Sequence, residues 1–243
     1  MKQRDLHKPG IDKIVIKKGG KTYKRVTEVL DVWFDSGVSS WAALGFPHDK
    51  SKMKKFWPAD LNIEGKDQIR GWWNSQIILS EIAFGKKPFD NIMLHGMVLD
   101  LGKKKMSKSL GNIVSPNDIV QKFSRDHLRY YFAKTSKGED FSFDEKEFAE
   151  IQKLFMMINN INTFVEQLPK GKKKTSIEDK WILSKFHSLV RDVTESYNTY
   201  KFPEVSQRLE TFIVGDLSRT YIKMIRDRSD EVSETFEEIR IGL

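Results

Sequence analysis

The stretch Asn91-Ile-Met-Leu-His-Gly-Met-Val-Leu99 is all but continuously apolar. A strand of that kind is stable only where both of its faces are covered, which requires a sheet with helices packed on it. Upstream, Leu61-Asn-Ile-Glu-Gly65 reads as a short strand that breaks at glycine. Gln68 to Phe84 then carries helical spacing through Ile69, Trp72, Trp73, Ile77 and Ile78 until Gly85 stops it. Strand, helix and strand in this order predict a parallel crossover unit of the α/β kind. The apolar strand runs into Gly102-Lys-Lys-Lys-Met-Ser-Lys-Ser-Leu-Gly-Asn112, a loop with four lysines, two hydroxyls and a closing Gly-Asn turn. That chemistry is aimed at phosphate. Lysine offers a mobile point charge, serine hydroxyls and glycine-exposed amides donate to oxygens, and a loop lets these groups tighten as charge develops at the reacting phosphorus.

The rest of the chain supports one large or two modest domains. Hydrophobic residues make up 39% of the 243, with 16 Phe and 6 Trp, enough for real cores. A net charge of +8 suits a polyanionic partner. With no cysteine, disulfides and thiolate metal sites are excluded. No apolar run approaches the roughly 20 residues of a membrane span, and Met1-Lys-Gln-Arg-Asp5 is not a secretory leader, so the expected setting is cytoplasmic with no membrane partner.

Residues 11 to 30 alternate as a hairpin does, around Lys18-Gly-Gly-Lys21. Val29 to Phe34 is expected as a buried strand or turn that delivers the polar groups of Asp35-Ser-Gly37. Ser115-Pro-Asn-Asp118 opens a helix that carries Ile119, Val120 and Phe123. Beyond Gly138 the pattern becomes all-α. Glu145 to Leu168 is helical, Pro169 to Lys174 is a linker, and Thr175 with Glu178 opens a helix with Ile182, Phe186, Leu189, Val193 and Tyr197 on one stripe. Pro203 starts another with Val205, Leu209, Phe212, Ile213 and Leu217. Three amphipathic helices of this length make a bundle.

Lys105-Met-Ser-Lys-Ser109 reads KMSKS and resembles the signature loop of class I aminoacyl-tRNA synthetases. Asp31-Val-Trp-Phe-Asp-Ser-Gly37, Glu64-Gly-Lys-Asp-Gln-Ile-Arg-Gly-Trp-Trp73 and Asp216-Leu-Ser-Arg-Thr-Tyr-Ile-Lys-Met-Ile-Arg-Asp-Arg228 point the same way. Together they resemble the isoleucyl-tRNA synthetase family, most closely its archaeal-like forms. The resemblance is collinear over essentially the whole chain. It implies α/β plus all-α architecture: the C-terminal half of a Rossmann-like catalytic domain over 1–122, a connecting stem-contact region over 123–144, and part of a helical anticodon-binding domain over 145–243. No HIGH motif occurs, and the family's editing insertion would precede residue 1. A cysteine-rich zinc knuckle has its place taken by Lys17-Lys-Gly-Gly20. The expectation is therefore a fragment, or one half of a split enzyme whose partner chain carries the missing N-terminal catalytic half.

The implied activity is ATP-dependent ligation of isoleucine to tRNA through an aminoacyl adenylate, with Mg2+ accompanying ATP. The resemblance makes Lys108 the residue that stabilises charge on the ATP phosphates, with Lys105 and Ser109 supporting the loop. Glu64, Gly65, Asp67 and Gln68 correspond to positions around the adenylate. His95, Gly96, Met97 and Val98 would border the adenine, with the glycine allowing close approach, and Trp33 and Trp72 would wall the amino-acid pocket. Plainer readings stand beside these: helix capping for Asp67, exposure for Glu64, and core packing for the tryptophans and His95. In the helical part, Lys170, Lys172, Lys173, Lys174, Arg219, Lys223, Arg226 and Arg228 would meet tRNA phosphates and Tyr221 would stack; solvated charge is the alternative. Valyl or leucyl specificity, or a non-catalytic tRNA-binding relic, are the competing functions.

Overall fold

A computed structural model describes residues 7–169 and 175–242. The expected linker lysines Lys170, Lys172, Lys173 and Lys174 lie outside the described residues. The chain divides into two compact units, one of residues 1–62 and 67–92, the other of 63–66 and 93–243. The sequence-based boundaries at 122 and 144 both fall inside the second unit, which holds the lysine loop together with the helical part.

In the first unit, β1 (Val15–Lys18) and β2 (Lys21–Lys24) form the expected antiparallel hairpin. Gly19 and Gly20 occupy its turn at φ of 57° and 74°, the left-handed pair that a two-residue hairpin needs. The run from Val29 to Phe34 departs from expectation. It is not a buried strand: α1 (Val32–Ala42) begins there, and Val29, Leu30 and Val32 are exposed. The reason is local, since the Asp31 carboxylate accepts the Trp33 N–H at 2.8 Å and so satisfies one of the donors that a helix start leaves open.

After α2 (Ser51–Phe56), the expected order of strand, helix and strand is present as β3 (Ala59–Gly65), α3 (Trp72–Phe84) and β4 (Phe89–His95). The strands are hydrogen-bonded neighbours. α3 starts later than expected: Lys66–Arg70 is a 3-10 turn, and Gly85 closes the helix in the left-handed conformation at φ 61°. α1 packs on α3 through Gly37. A Cβ built there would lie 2.7 Å from Leu79 Cδ1 and 2.9 Å from Ser75 Cβ, so only glycine admits this approach. The unit leaves much unsatisfied. Ile77, Ile78 and Ile82 of α3 are exposed, while on its buried stripe Trp73 Nε1, both polar atoms of the Gln76 amide and Ser80 Oγ have no hydrogen-bond partner among the described residues. Buried polar atoms in folded proteins are normally paired.

In the second unit, the apolar stretch expected as one strand is broken at Gly96 into β4 and β5 (Val98–Leu99). The break has a physical cause. A Cβ on Gly96 would lie 1.9 Å from the Glu139 carbonyl oxygen, and the Met97 N–H donates at 2.7 Å to Asp140 Oδ1 rather than to a ladder partner. β5 then pairs in parallel with β6 (Phe141–Ser142), Val98 opposite Phe141. α4 (Pro116–Lys122), α5 (Arg125–Thr135) and α6 (Glu147–Glu166) close over an aromatic core in which the Phe148 ring stacks on Phe123 at 4.7 Å and on Tyr131 at 4.9 Å.

The bundle continues with α7 (Ile177–Asn198), capped by a reciprocal box between Ser176 and Asp179, and with α8 (Phe202–Glu210). Thr211–Tyr221 is wound as a π-helix; α9 (Ile222–Met224), a 3-10 segment Arg226–Glu231 and α10 (Ser233–Gly242) complete the chain. The core holds Ile182, Phe186 and Leu189 of α7 against Phe212, Leu217, Tyr221 and Phe236. Tyr197, expected on the same stripe, is exposed.

The close approach at Gly96 yields a stability prediction. Gly96→Ala should lower the midpoint of urea unfolding by an amount worth about 1–3 kcal/mol or more, because the added methyl meets backbone that cannot rotate away. A midpoint equal to wild type would show that the 139–140 backbone yields freely.

Candidate functional site

The lysine loop is a braced structure. Asp100, just after β5, accepts the Lys104 N–H on Oδ1 at 2.8 Å and the Asn112 side-chain amide on Oδ2 at 2.8 Å. Asn112 in turn accepts the Ser107 N–H at 2.9 Å and reaches the Lys105 carbonyl at 3.3 Å. These bonds, led by that from the Lys104 amide, hold the Asp100 carboxyl below the usual carboxylate range. Met106 packs on the aromatic core and anchors the loop from beneath. Lys108–Leu110 makes a 3-10 turn capped by Ser107 and closed by Gly111 in the left-handed conformation at φ 64°. Lys103 is held at φ 59°, a conformation uncommon for a residue with a Cβ.

On this frame Lys103, Lys104, Lys105 and Lys108 are all exposed, and none is within ion-pair distance of a carboxylate among the described residues. A cluster of unpaired ammonium groups on a fixed base is suited to an anion with several charges. Ser109 Oγ lies 3.2 Å from Ser107 Oγ, inside the turn. Sequence reasoning alone misses Asp100, although an Asp-x-Gly turn at the mouth of a lysine loop is the signal that marks such a brace.

The same unit contains Glu64, Gly65, His95, Gly96 and Val98. Gly65 and Gly96 are buried, Glu64 and Val98 half-buried and His95 exposed, so the reading of His95 as a core residue does not hold. Its Nδ1 lies 3.0 Å from the Gly96 carbonyl oxygen. Gly96 is corrected in one respect: the space that its missing Cβ opens is filled by the Glu139 carbonyl. Lys66 pairs with Asp140 at 2.8 Å, which raises the lysine and lowers the carboxyl from their ordinary values.

The first unit gathers Trp33, Asp67, Gln68 and Trp72. Gln68 Oε1 accepts the Trp72 N–H at 3.0 Å and caps α3, while its amide nitrogen donates to Asp67 at 3.0 Å. The capping role falls to Gln68, not Asp67. Trp72 is half-buried, with its indole N–H given to the Ser36 carbonyl at 2.8 Å. Trp33 is 45% exposed, its ring edge beside Gly71, so packing does not consume it.

In the helical part the tRNA set divides. Arg219, Lys223 and Arg226 are exposed and form no ion pair among the described residues. Tyr221 is contradicted as a stacking residue: it is 0% exposed and donates its hydroxyl to Asp179 Oδ1 at 2.6 Å. Arg228 also turns inward, donating to Asp179 at 2.7 and 3.0 Å. Burial would raise the Asp179 carboxyl, but the Arg228 guanidinium, the Ser176 amide and the Tyr221 hydroxyl outweigh it and hold the group below its usual range.

The profile of the family described as "tRNA synthetases class I (I, L, M and V)" matches residues 1–144, and "Anticodon-binding domain of tRNA ligase" matches residues 179–240. The chain belongs to the class I tRNA synthetases. Within that class its relatives include the isoleucine--tRNA ligase of Pyrococcus horikoshii, 40% identical over 236 residues, a match that covers 92% of this chain and 22% of the relative. That of Thermococcus kodakarensis is 41% identical over 241 residues, with coverages of 92% and 22%. That of Methanosarcina barkeri is 38% identical over 240 residues, with 93% and 23%. The chain thus spans between a fifth and a quarter of the length of these relatives.

Two solved structures share the fold. One is Mycobacterium tuberculosis methionyl-tRNA synthetase in complex with methionyl-adenylate, at TM-score 0.73 and 21% identity, covering 87% of this chain and 46% of that one. The other is LeuRS of Agrobacterium radiobacter in a ternary complex with tRNA and LeuAMS, at 0.61 and 20%, covering 93% and 33%.

The pH dependence of stability derives from Asp179. Its folded value is depressed, so its contribution is fully present above the unfolded value of about 3.9 and is lost as pH falls through the folded value. Melting temperatures measured from pH 6 down to pH 2 should fall more steeply for wild type than for Asp179→Asn. Parallel acid limbs would mean that Asp179 is not a titrating contributor.

Proposed function

We propose that the chain takes part in the ATP-dependent attachment of isoleucine to tRNA through an aminoacyl adenylate, in a cytoplasmic setting. The observation that carries this reading is the braced loop with its four unpaired ammonium groups, in a chain 40% identical to an isoleucine--tRNA ligase. In this reaction the amino-acid carboxylate attacks the α-phosphorus of ATP and pyrophosphate leaves. The acyl group then passes to the 3′ end of tRNA. No covalent enzyme intermediate is needed, so the protein's part is positioning and charge stabilisation.

Lys108 is assigned to the charge that develops on the phosphates, with Lys105 and Ser109 shaping the loop around it. ATP enters as its Mg2+ complex, the metal being part of the substrate. His95 and Val98 border the adenine, and Gly96 sets their position by admitting the Glu139 backbone. Glu64 and Gly65, and separately Asp67 and Gln68, are assigned to the aminoacyl adenylate, whose ammonium and ribose hydroxyls such groups would serve. Trp33 and Trp72 wall the side-chain pocket. A pocket tells isoleucine from valine by one methylene, worth about 1–3 kcal/mol, so the choice of amino acid rests on this wall. Arg219, Lys223 and Arg226 meet the tRNA backbone.

The exposed isoleucines and orphaned polar atoms of the first unit support a further element of the reading. The unit works together with polypeptide that corresponds to the part of the relatives outside the match, in the same chain or in another. The purified 243-residue chain alone should then give no isoleucine-dependent exchange of pyrophosphate into ATP. Supplying the complementary part should produce exchange, and Lys108→Ala should reduce its turnover by about 10²-fold with little change in KM for ATP, as expected for a donor that engages in the transition state. Exchange with valine or leucine in place of isoleucine would reassign the amino acid. A raised KM at unchanged turnover would make Lys108 a ground-state binder.

Binding of tRNA gives a separate check. Removing Lys223 and Arg226 together (Lys223→Ala, Arg226→Ala) should weaken tRNA affinity and flatten the slope of log K against log salt by somewhat under one unit, about 0.9, for each phosphate released. Affinity and slope equal to wild type in the folded double variant would mean that these residues are only solvated charge.

A further inference from the structure

Asp179 lies in the first turn of α7 and is 1% exposed. Four donors converge on it: the Tyr221 hydroxyl at 2.6 Å, the Ser176 N–H at 2.8 Å, and two guanidinium nitrogens of Arg228 at 2.7 and 3.0 Å. The guanidinium also donates to the Ser176 hydroxyl. A buried ion pair of this kind contributes little net stability relative to apolar side chains of the same volume, because desolvation offsets the attraction; its distinctive effect is to fix one geometry.

The geometry at stake is the rotation of the segment that carries the basic residues. Leu217, Tyr221 and Ile225 point into the core. Arg219, Lys223 and Arg226, spaced four and three apart in the same stretch, are exposed. The π-helix that ends at Tyr221 is stitched by the Thr220 hydroxyl, which donates to the Gly215 carbonyl at 2.8 Å. π-helical winding is rare and interrupts the regular α-helical repeat, so the rotation of residues 222–228 does not follow from the repeat of α8 alone. Helical geometry breaks at Arg228, whose φ of −137° and ψ of 34° leave the helical range where its side chain meets Asp179. Two points of the basic stretch are therefore tied to one carboxylate, Tyr221 between Arg219 and Lys223, and Arg228 after Arg226.

We infer that Asp179, with Tyr221 and Arg228, is a positioning clamp for RNA binding. By gripping the inward face of residues 221–228 it presents Arg219, Lys223 and Arg226 outward as a fixed ridge that meets successive phosphates of the tRNA backbone. The inference rests on the tRNA-binding reading above and adds to it three residues that touch no RNA.

The sign of one substitution separates this role from simple electrostatics. Asp179→Asn removes a negative charge from a chain of net charge +8, so if charge alone mattered, RNA would bind more tightly. The clamp requires the opposite. At 0.1 M salt, affinity for an unfractionated tRNA probe should fall by about 8-fold for each phosphate that the ridge no longer reaches, with the salt slope flattened by about 0.9 per phosphate. Arg228→Lys keeps the charge but not the forked geometry that grips Asp179, and it should weaken binding in the same way, whereas counterion release by charge alone, which lysine keeps, would leave the salt slope unchanged. Tyr221→Phe, the mildest change, should give a smaller loss of the same kind, and it decides the matter should the other two not fold. Binding is measured by anisotropy on the full 243-residue chain, about 15 °C or more below each variant's melting temperature so that unfolding does not enter the measured affinity. Wild type without salt-dependent tRNA binding overturns both this inference and the functional reading. Wild type that binds, with folded variants matching or exceeding it in affinity and slope, overturns the clamp alone.

Discussion

Much of the second unit depends on the absence of a single Cβ. At Gly96 the chain passes so close to the Glu139 carbonyl that no other residue fits. That approach lets the Asp140 carboxylate take the Met97 N–H and starts the pairing of β5 with β6. From the end of β5 hangs the lysine loop, through Asp100. From the end of β6 the chain enters Phe143 and Phe148, the core on which Met106 rests. The loop is thereby held from two directions, by a carboxylate-amide brace above and an apolar anchor beneath. Its four lysines form no ion pair among the described residues, and the bonds that brace the loop do not use their ammonium groups.

The polar groups that matter here sort into two kinds. Asp100 and Asn112 are engaged by each other and by backbone, as are Asp67 and Gln68, and these four shape the loops they stand on. The ammonium groups of the loop and the cations at 219, 223 and 226 are left to solvent.

The features legible in the sequence are the local ones. The hairpin at Gly19-Gly20, the start of α4 at Ser115-Pro116, the lysine loop and the order of β3, α3 and β4 each depend on neighbours a few residues apart. The run from Val29 to Phe34 misleads because a dense apolar stretch has the same composition in a strand as in the first turn of a helix. Asp31 is the only local mark of the difference. Tyr221 and Arg228 suggest RNA-facing groups because a basic-aromatic run looks alike whether it faces water or a buried carboxylate. Their partner, Asp179, lies 42 and 49 residues upstream, and no periodicity links the two. Gly96 carries the right signal, close approach, but the group that approaches comes from Glu139, again far along the chain.

The π-helical winding of Thr211–Tyr221 has an evolutionary corollary. Such a segment accommodates more residues per turn than an α-helix between the same two anchors, here the packing of Phe212 and the hydroxyl contact of Tyr221. It is therefore a place where the lineage can gain or lose a residue without disturbing the fold on either side. A change of length there would alter the winding of a helix and not the reach of a loop.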